Sequence, residues 1–258
     1  MTRSRDGPWN LQDLPIWREL GDSHGEAVAL SNVGADWLWF GELDHARPYL
    51  EDALKLSRAI GARALECGPL GNLSQLSLFQ GDAGKAAALA RAGLEIAVAT
   101  QAADYEIQTL LRLGEAELAL GNHQAAADAF KNAKSVARAA DLGGHHDAMA
   151  GLARVALARE DLPTALELVE TLMAARAGPE GVEGAYARLV LFTGQRVLGD
   201  AGDSRAAQLL EEVHAELQAR AATITDAALR RSFLDNVPLH REIVSAWTAH
   251  RSALGGKP

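Results

Sequence analysis

The sequence predicts an all-α fold, an α-solenoid of about five stacked helical hairpins followed by a C-terminal pair of capping helices. Three observations support this prediction. Small, turn and large apolar residues recur about every 40 positions. Within each unit the apolar residues follow the spacing of an amphipathic helix. Hydrophobic residues make up 48% of the 258 residues and aromatic residues only 5%, so the apolar content is mostly Ala, Leu and Val, which suits packed helices better than sheets.

The repeat is visible in three columns of residues that advance together. A small residue in the second helix steps by 40, 40, 39 and 41 positions, and the turn residue and a large apolar residue of the first helix each step by 40, 40 and 39. Because a single hairpin leaves one apolar face open, the units must stack to bury it. The columns are Ala46, Ala86, Ala126, Ala165 and Ala206; Gly41, Gly81, Gly121 and Glu160; and Val33, Leu73, Leu113 and Leu152.

Start signals and small residues define each hairpin further. The residue after the turn is Glu42, Asp82, Asn122 or Asp161, and the last three favour the N-cap of the second helix. Pro69 falls within a first helix, where we expect a bend or a late start. Close approach of the two helices requires small residues, and a second such column contains Gly34, Ser74, Gly114 and Ala153.

Taken together, this pattern resembles the tetratricopeptide repeat (TPR). The matching residues are Leu113, Gly114, Gly121, Ala126, Phe130 and Ala133 in unit three, and Val33, Gly34, Trp37, Gly41, Ala46, Leu50 and Ala53 in unit one. The resemblance covers roughly residues 22–220 and implies a right-handed superhelix. The units are longer than the usual repeat of about 34 residues. In this they resemble the arrays of bacterial regulatory ATPases, MalT-like activators and cyclase-linked signalling proteins.

The same columns predict the boundaries along the chain. Residues 1–21 form an N-terminal segment with the remnant of a preceding repeat helix, because residues 16–21 align with residues 56–61 one repeat later. We therefore expect the chain to be a piece of a longer protein, with a Trp-rich end open towards the missing repeat. The expected units are 22–61, 62–101, 102–141, 142–181 and 182–220, followed by capping helices at 221–250 and a disordered tail at 251–258.

Composition and motifs argue against several functions. The formal net charge of −9 disfavours a nucleic-acid partner, and no apolar run is long enough for a signal peptide or a membrane span. We find no phosphate-binding loop, metal-ligand quartet or nucleophile elbow. The cluster His145-His146-Asp147 is interpreted as a solvated inter-repeat turn. We expect a cytoplasmic protein without cofactor, metal or catalytic site.

The concave groove between the first helices carries the candidate binding residues. The resemblance implies that Asn32 and Asn72 hydrogen-bond the backbone of an extended peptide; alternatively they bond to neighbouring helices or water. Arg112 and Arg154 can receive an acidic group, unless Glu115 pairs with Arg112. The remaining candidates are Gln75, which joins the polar ladder, and Trp39, which either anchors a ligand or packs against the missing repeat.

The function expected from these residues is protein–protein interaction. The array would bind a peptide or protein partner in its groove, as a regulatory part of a larger bacterial signalling protein. Two alternatives stay open. The Trp-rich N-terminal end would stack on a second copy in a homo-oligomeric array, or the groove would hold a small effector, which a deep, closed groove containing Trp39 would favour.

Overall fold

The computed structural model describes residues 7–177 and 185–255. Within these two ranges the chain forms thirteen α-helices, two short 3-10 helices and no strand. The 3-10 helices are Trp9–Gln12 and Arg63–Glu66. The α-helices are α1 (Asp13–Leu20), α2 (Ser23–Phe40), α3 (Leu43–Ala59), α4 (Cys67–Phe79), α5 (Ala83–Thr100), α6 (Ala103–Ala119), α7 (His123–Ala140), α8 (His145–Ala158), α9 (Leu162–Ala177), α10 (Ala185–Asp200), α11 (Arg205–Ala222), α12 (Ala227–Asp235) and α13 (Pro238–Gly255).

Five successive hairpins build the array, from α2–α3 to α10–α11, and α12 and α13 follow them. The two helices of each hairpin pack together, and the first helices α2, α4, α6, α8 and α10 also pack side by side in that order. The predicted all-α solenoid is therefore confirmed. The predicted start of the fifth unit, at 182, lies outside the described residues. The 3-10 helix before α4 places Pro69 in the first turn of α4, which is the late start expected there.

The turn column is explained by backbone conformation. Gly41, Gly81 and Gly121 have φ of 78°, 81° and 77°, in the left-handed region that a side chain makes unfavourable. Each turn follows the first helix of its hairpin and lets the chain reverse into the second. Glu160 occupies the same conformation, with φ of 62°, so the fourth hairpin makes this turn without a glycine.

Only two of the three expected N-caps form. The carboxylate of Asp82 accepts from the backbone N–H of Lys85 at 2.9 Å, and that of Asp161 accepts from Thr164 at 3.2 Å. Asn122 does not cap its helix, because its Nδ2 donates to the buried carboxylate of Glu117 at 2.8 Å. The buried carboxylate of Glu117 needs hydrogen-bond donors. The side chain of Asn122 therefore bonds to Glu117 and leaves the N-terminus of α7 without a side-chain cap.

The small-residue column marks where helices touch. The ring of Phe130 on α7 lies between Gly114 on α6 and Gly151 on α8. A Cβ added at Gly114 would lie 2.6 Å from the ring, and one added at Gly151 would lie 2.5 Å from it. In the first hairpin, a Cβ at Gly34 would lie 2.4 Å from Leu50. Because these glycines have no side chain, Phe130 and Leu50 on the second helices can pack directly against the backbone of the neighbouring first helices.

The array closes on itself. Phe40, at the end of α2, shares one hydrophobic core with Leu191, Leu217, Phe233 and Ile243 from the last four helices. Nδ2 of Asn236 donates to the carbonyl of Gly41 at 3.3 Å, although 195 residues separate them. The C-terminal capping helices therefore contact the first hairpin as well as the last, and the solenoid forms a closed ring.

Ring closure covers part of the Trp-rich end that the sequence predicts to be open. The ring of Trp39 lies 5.2 Å from that of Trp9 and 4.6 Å from that of Phe233, so residues near both ends of the chain pack against it. Trp9 and Leu11 stay 41% and 40% exposed, and Ile16 and Leu20 on α1 are 53% and 68% exposed.

The predicted tail at 251–258 is also wrong in part, because α13 continues to Gly255. The guanidinium of Arg251 lies over the ring of Trp247 at 6.0 Å, and Ser252 Oγ donates to the carbonyl of Thr248. Both contacts extend the helix past the predicted end. Residues 256–258 lie outside the described residues. Across the described part of the chain, no helix is long and apolar enough to cross a membrane.

Candidate ligand-binding cavity

The closed ring encloses a cavity of about 1040 Å³. Its walls come from the first helices α2, α4, α6, α8 and α10, and α13 completes them on the side where the ring closes. Both apolar and ionisable side chains line it. The apolar part includes Leu38, Phe79, Ile107, Leu111, Phe192 and Leu239. This size is at the upper end for pockets that bind small molecules and cofactors.

Most of the residues predicted for the groove line this cavity. They come from four helices, α2, α4, α6 and α8, and the packing of the first helices brings them to one surface. They are Trp39, Asn72, Gln75, Arg112, Glu115 and Arg154. The alignment of the repeats therefore predicts correctly which faces of these helices turn inwards.

Asn32 is the exception, since it is exposed and is not among the cavity-lining residues. The cavity reaches α2 at Ala35, Leu38 and Trp39, because the ring closes against the C-terminal end of the helix. Asn32 lies about one turn before Ala35. Asn32 is therefore not among the residues that line the cavity with Asn72.

The amide of Asn72 has one long contact with its own chain. Its Nδ2 lies 3.5 Å from Ser31 Oγ on α2, at the upper limit for a hydrogen bond. Gln75 follows one helical turn later on α4 and lines the same wall. Two half-buried amides one turn apart offer both donors and acceptors to the cavity.

Three ionisable side chains meet on α6 and α8. Arg112 Nη1 donates to Glu115 Oε2 at 3.1 Å, so the internal pairing considered from the sequence does form. Burial, and then the charge of Glu115, raise the pKa of Asp147 to about 7, while Arg112 acts in the opposite direction. Asp147 therefore exchanges a proton close to neutral pH.

Asp147 and His146 line the cavity, and the interpretation of this cluster as a solvated turn is wrong. Gly144, with φ of 102°, begins α8 so close to α6 that a Cβ there would lie 2.8 Å from Ile107. The first turn of α8 is thereby held against the cavity. One signal in the sequence points to this, because the 39-residue step of the fourth unit aligns Asp147 with Gln108, which also lines the cavity.

The part of the wall formed by α10 and α13 is not predicted from the sequence. It includes Arg188, Arg196, His240 and Glu242. His240 Nδ1 lies 2.7 Å from the carbonyl of Phe233, and since a carbonyl can only accept, this nitrogen donates. Burial, followed by the charge of Arg188, lowers the pKa of His240 to about 4, so its ring is neutral. The repeat columns are irregular in this part of the chain and carry no signal for these residues.

The described ranges contain no group of three or more His, Cys, Asp or Glu side chains placed to hold a metal ion. No family model matches the chain, and the curated proteins contain no match. Comparison with solved structures does find similar chains, all at low sequence identity.

A Rap protein complexed with Competence and Sporulation Factor has a TM-score of 0.67 at 16% identity, covering 93% of this chain and 67% of the Rap chain. BtubC from P. vanneervenii has a TM-score of 0.64 at 17% identity, covering 83% and 89%. A signal transduction ATPase with a tetratricopeptide repeat sensor, from Pyrococcus horikoshii, has a TM-score of 0.57 at 16% identity, covering 96% and 42%. These likenesses show the fold, which is a TPR-like solenoid.

Proposed function

We propose that this chain is an interaction scaffold that holds a segment of a peptide or protein partner in its central cavity. The observation that carries the proposal is the closed ring, which turns the concave face of the array into a cavity of about 1040 Å³. Six of the seven residues predicted for partner binding line it. A segment of a few residues suits this volume better than a folded domain.

The two kinds of wall suit the two parts of a peptide. A peptide backbone presents alternating donors and acceptors, and the amides of Asn72 and Gln75 can satisfy both. Apolar side chains of the partner would pack against Trp39, Leu111 and Phe192, which line the same space. Aromatic anchors in enclosed pockets contribute much of the affinity of such interfaces.

Two of the structural neighbours support this proposal. The Rap protein is complexed with a factor, and the repeat array of the Pyrococcus horikoshii ATPase is a sensor within a signal transduction protein. This chain spans 42% of that ATPase. By analogy with it, we propose that the array is a regulatory part of a larger signalling protein.

A second candidate function is a sensor for a small effector. The feature that favours it is closure by α12 and α13, because α13 adds a further wall to the cavity and effector-binding pockets bury most of their ligand. Trp39 lies in this wall and would report a bound small molecule through its fluorescence.

A pull-down from source-cell lysate tests the leading proposal. The baits are the wild-type chain, a double variant Asn72→Ala/Gln75→Ala, and a control variant Asn32→Ala. The control makes the same type of substitution on α2, outside the cavity lining. All three baits must show equal helicity by circular dichroism. A protein retained by the wild type and the control but lost by the double variant supports binding in the cavity.

Other outcomes assign the function elsewhere. Identical protein profiles for all three baits contradict binding in the cavity. Recovery of the bait alone, with a mass that rises with concentration in light scattering, supports a homo-oligomer, for which the exposed apolar face of α1 is the candidate contact. A small molecule that quenches the fluorescence of Trp39 and is displaced on unfolding supports the sensor.

A further inference from the structure

One buried cation in the cavity wall has an unsatisfied donor. Arg188 on α10 is only 5% exposed and lines the cavity. Its Nε makes no hydrogen bond to any described residue. A guanidinium is a donor at every nitrogen and cannot accept, and a buried charge without partners is strongly unfavourable.

The charges around Arg188 do not compensate for its burial. Burial lowers the pKa of this guanidinium, the positive charge of Arg220 acts in the same direction, and the charge of Glu216 opposes both. His240, from α13, is neutral and adds no negative charge. Around the Arg188 guanidinium the charges of Arg220 and Glu216 thus oppose each other and do not offset its burial.

Two more arginines line the same cavity. Arg154 lies on α8, which packs directly against α10, and it forms no ion pair with a described residue. Arg196 lies two turns after Arg188 on α10. Its ion pair with Glu242 is 3.8 Å long, with both side chains 55% exposed, and such pairs contribute little.

Four acidic side chains also line the cavity. Glu115 is paired with Arg112, and Asp147 lies with them on the α6–α8 side. Asp104 is on α6, and Glu242 is on α13. The lining part of α10 contributes two arginines and no carboxylate.

We propose that Arg188 is the centre of an anion-binding site that receives a carboxylate or phosphate group of the ligand, with Arg154 and Arg196 as its neighbours. This proposal rests on the proposed function, because the anionic group belongs to the ligand that occupies the same cavity. An oxyanion matches the fork of a guanidinium and forms charge-assisted, bidentate hydrogen bonds with it. Binding would also place a negative charge beside a cation that is only 5% exposed.

Isothermal titration calorimetry and thermal unfolding with small anions test the site directly, whichever ligand carries the anionic group. The probes are inorganic phosphate and tricarballylate, each against sodium chloride at equal ionic strength. The variants are Arg188→Met, Arg188→Lys and, as a control, Arg138→Met, which removes an exposed arginine on α7.

We expect at least one probe to bind the wild type saturably and to raise its Tm, since a ligand of the folded state stabilises it. Arg138→Met should behave like the wild type. Arg188→Met should bind at least tenfold more weakly while being no less stable without anion, because it removes a buried charge whose Nε lacks an acceptor. The probe with the higher affinity then distinguishes a carboxylate site from a phosphate site.

Absence of saturable binding of either probe to the wild type overturns the proposal, and so does undiminished affinity in Arg188→Met. If Arg188→Met does not fold, the same titrations are made with Arg188→Lys and Arg154→Met. Wild-type affinity for the anion in both variants overturns the proposed site. A partner protein that is lost with Asn72→Ala/Gln75→Ala but retained with Arg188→Met overturns only the anion site and leaves the scaffold function standing.

Discussion

Substituting Gly41 by alanine tests whether the ring is closed in solution. Gly41 and Gly121 end equivalent helices with almost the same φ, 78° and 77°. Alanine at either position therefore meets the same backbone strain, about 1–2 kcal/mol. The surroundings differ. A Cβ at Gly41 would lie 2.8 Å from the carbonyl oxygen of Ser232 and 2.9 Å from Cβ of Asn236, whereas a Cβ at Gly121 has nothing within 4 Å.

The difference between the two variants isolates the closing contact. Because the backbone strain cancels, the excess destabilisation of Gly41→Ala is the overpacking against α12, for which we expect about 1–3 kcal/mol. Urea unfolding followed by circular dichroism gives the two free energies of unfolding. Native-state hydrogen exchange should show faster exchange in α12 for Gly41→Ala and no change there for Gly121→Ala. Equal destabilisation by both variants, with α12 equally protected, would refute the closed ring.

Three further predictions concern stability. Glu160→Gly should raise the free energy of unfolding by about 1 kcal/mol, since it relieves a positive φ at an exposed residue; a lower urea midpoint would contradict this. Gly114→Ala should destabilise by about 1–3 kcal/mol because its Cβ meets the ring of Phe130, whereas Gly71→Ala, inside α4 with no atom within 4 Å of its Cβ, should stabilise by about 0.5–1 kcal/mol. Asp147→Asn should gain stability relative to the wild type as pH rises from about 4 to 7, because the unfolded wild type loses the Asp147 proton in that range while the folded wild type, with the raised pKa, still holds it. Urea midpoints at pH 5 and pH 8 measure the difference, and a pH-independent difference would rule out this titration.

The features that are predictable from the sequence are local or repeat at a fixed interval. The left-handed turn at Gly41, Gly81 and Gly121 favours glycine at each turn, and the inward faces of α4, α6 and α8 follow from helical periodicity. These constraints act within a few residues, so they leave a pattern that recurs every 40 positions. They suffice for the fold and for six of the residues that line the cavity.

Ring closure leaves no such pattern. The hydrogen bond from Asn236 to Gly41 joins residues 195 positions apart, and nothing in either local sequence indicates the other. For the same reason the repeat alignment groups Asn32 with Asn72, since it cannot tell that the cavity lining on α2 begins at Ala35. Arg188 escapes prediction because the fifth unit departs from the repeat, so its inward face has no aligned column.

Closure also changes how the array can come apart. In an open solenoid each unit touches only its neighbours, and unfolding can begin at either terminal unit and spread inwards. Here the core around Phe40 and Phe233 makes the first hairpin and the C-terminal helices neighbours. Neither end of the array is therefore free, and fraying from either end must first break the contact between the first hairpin and the C-terminal helices. Cooperative unfolding of the array then begins with one event, the separation of α12 from α2.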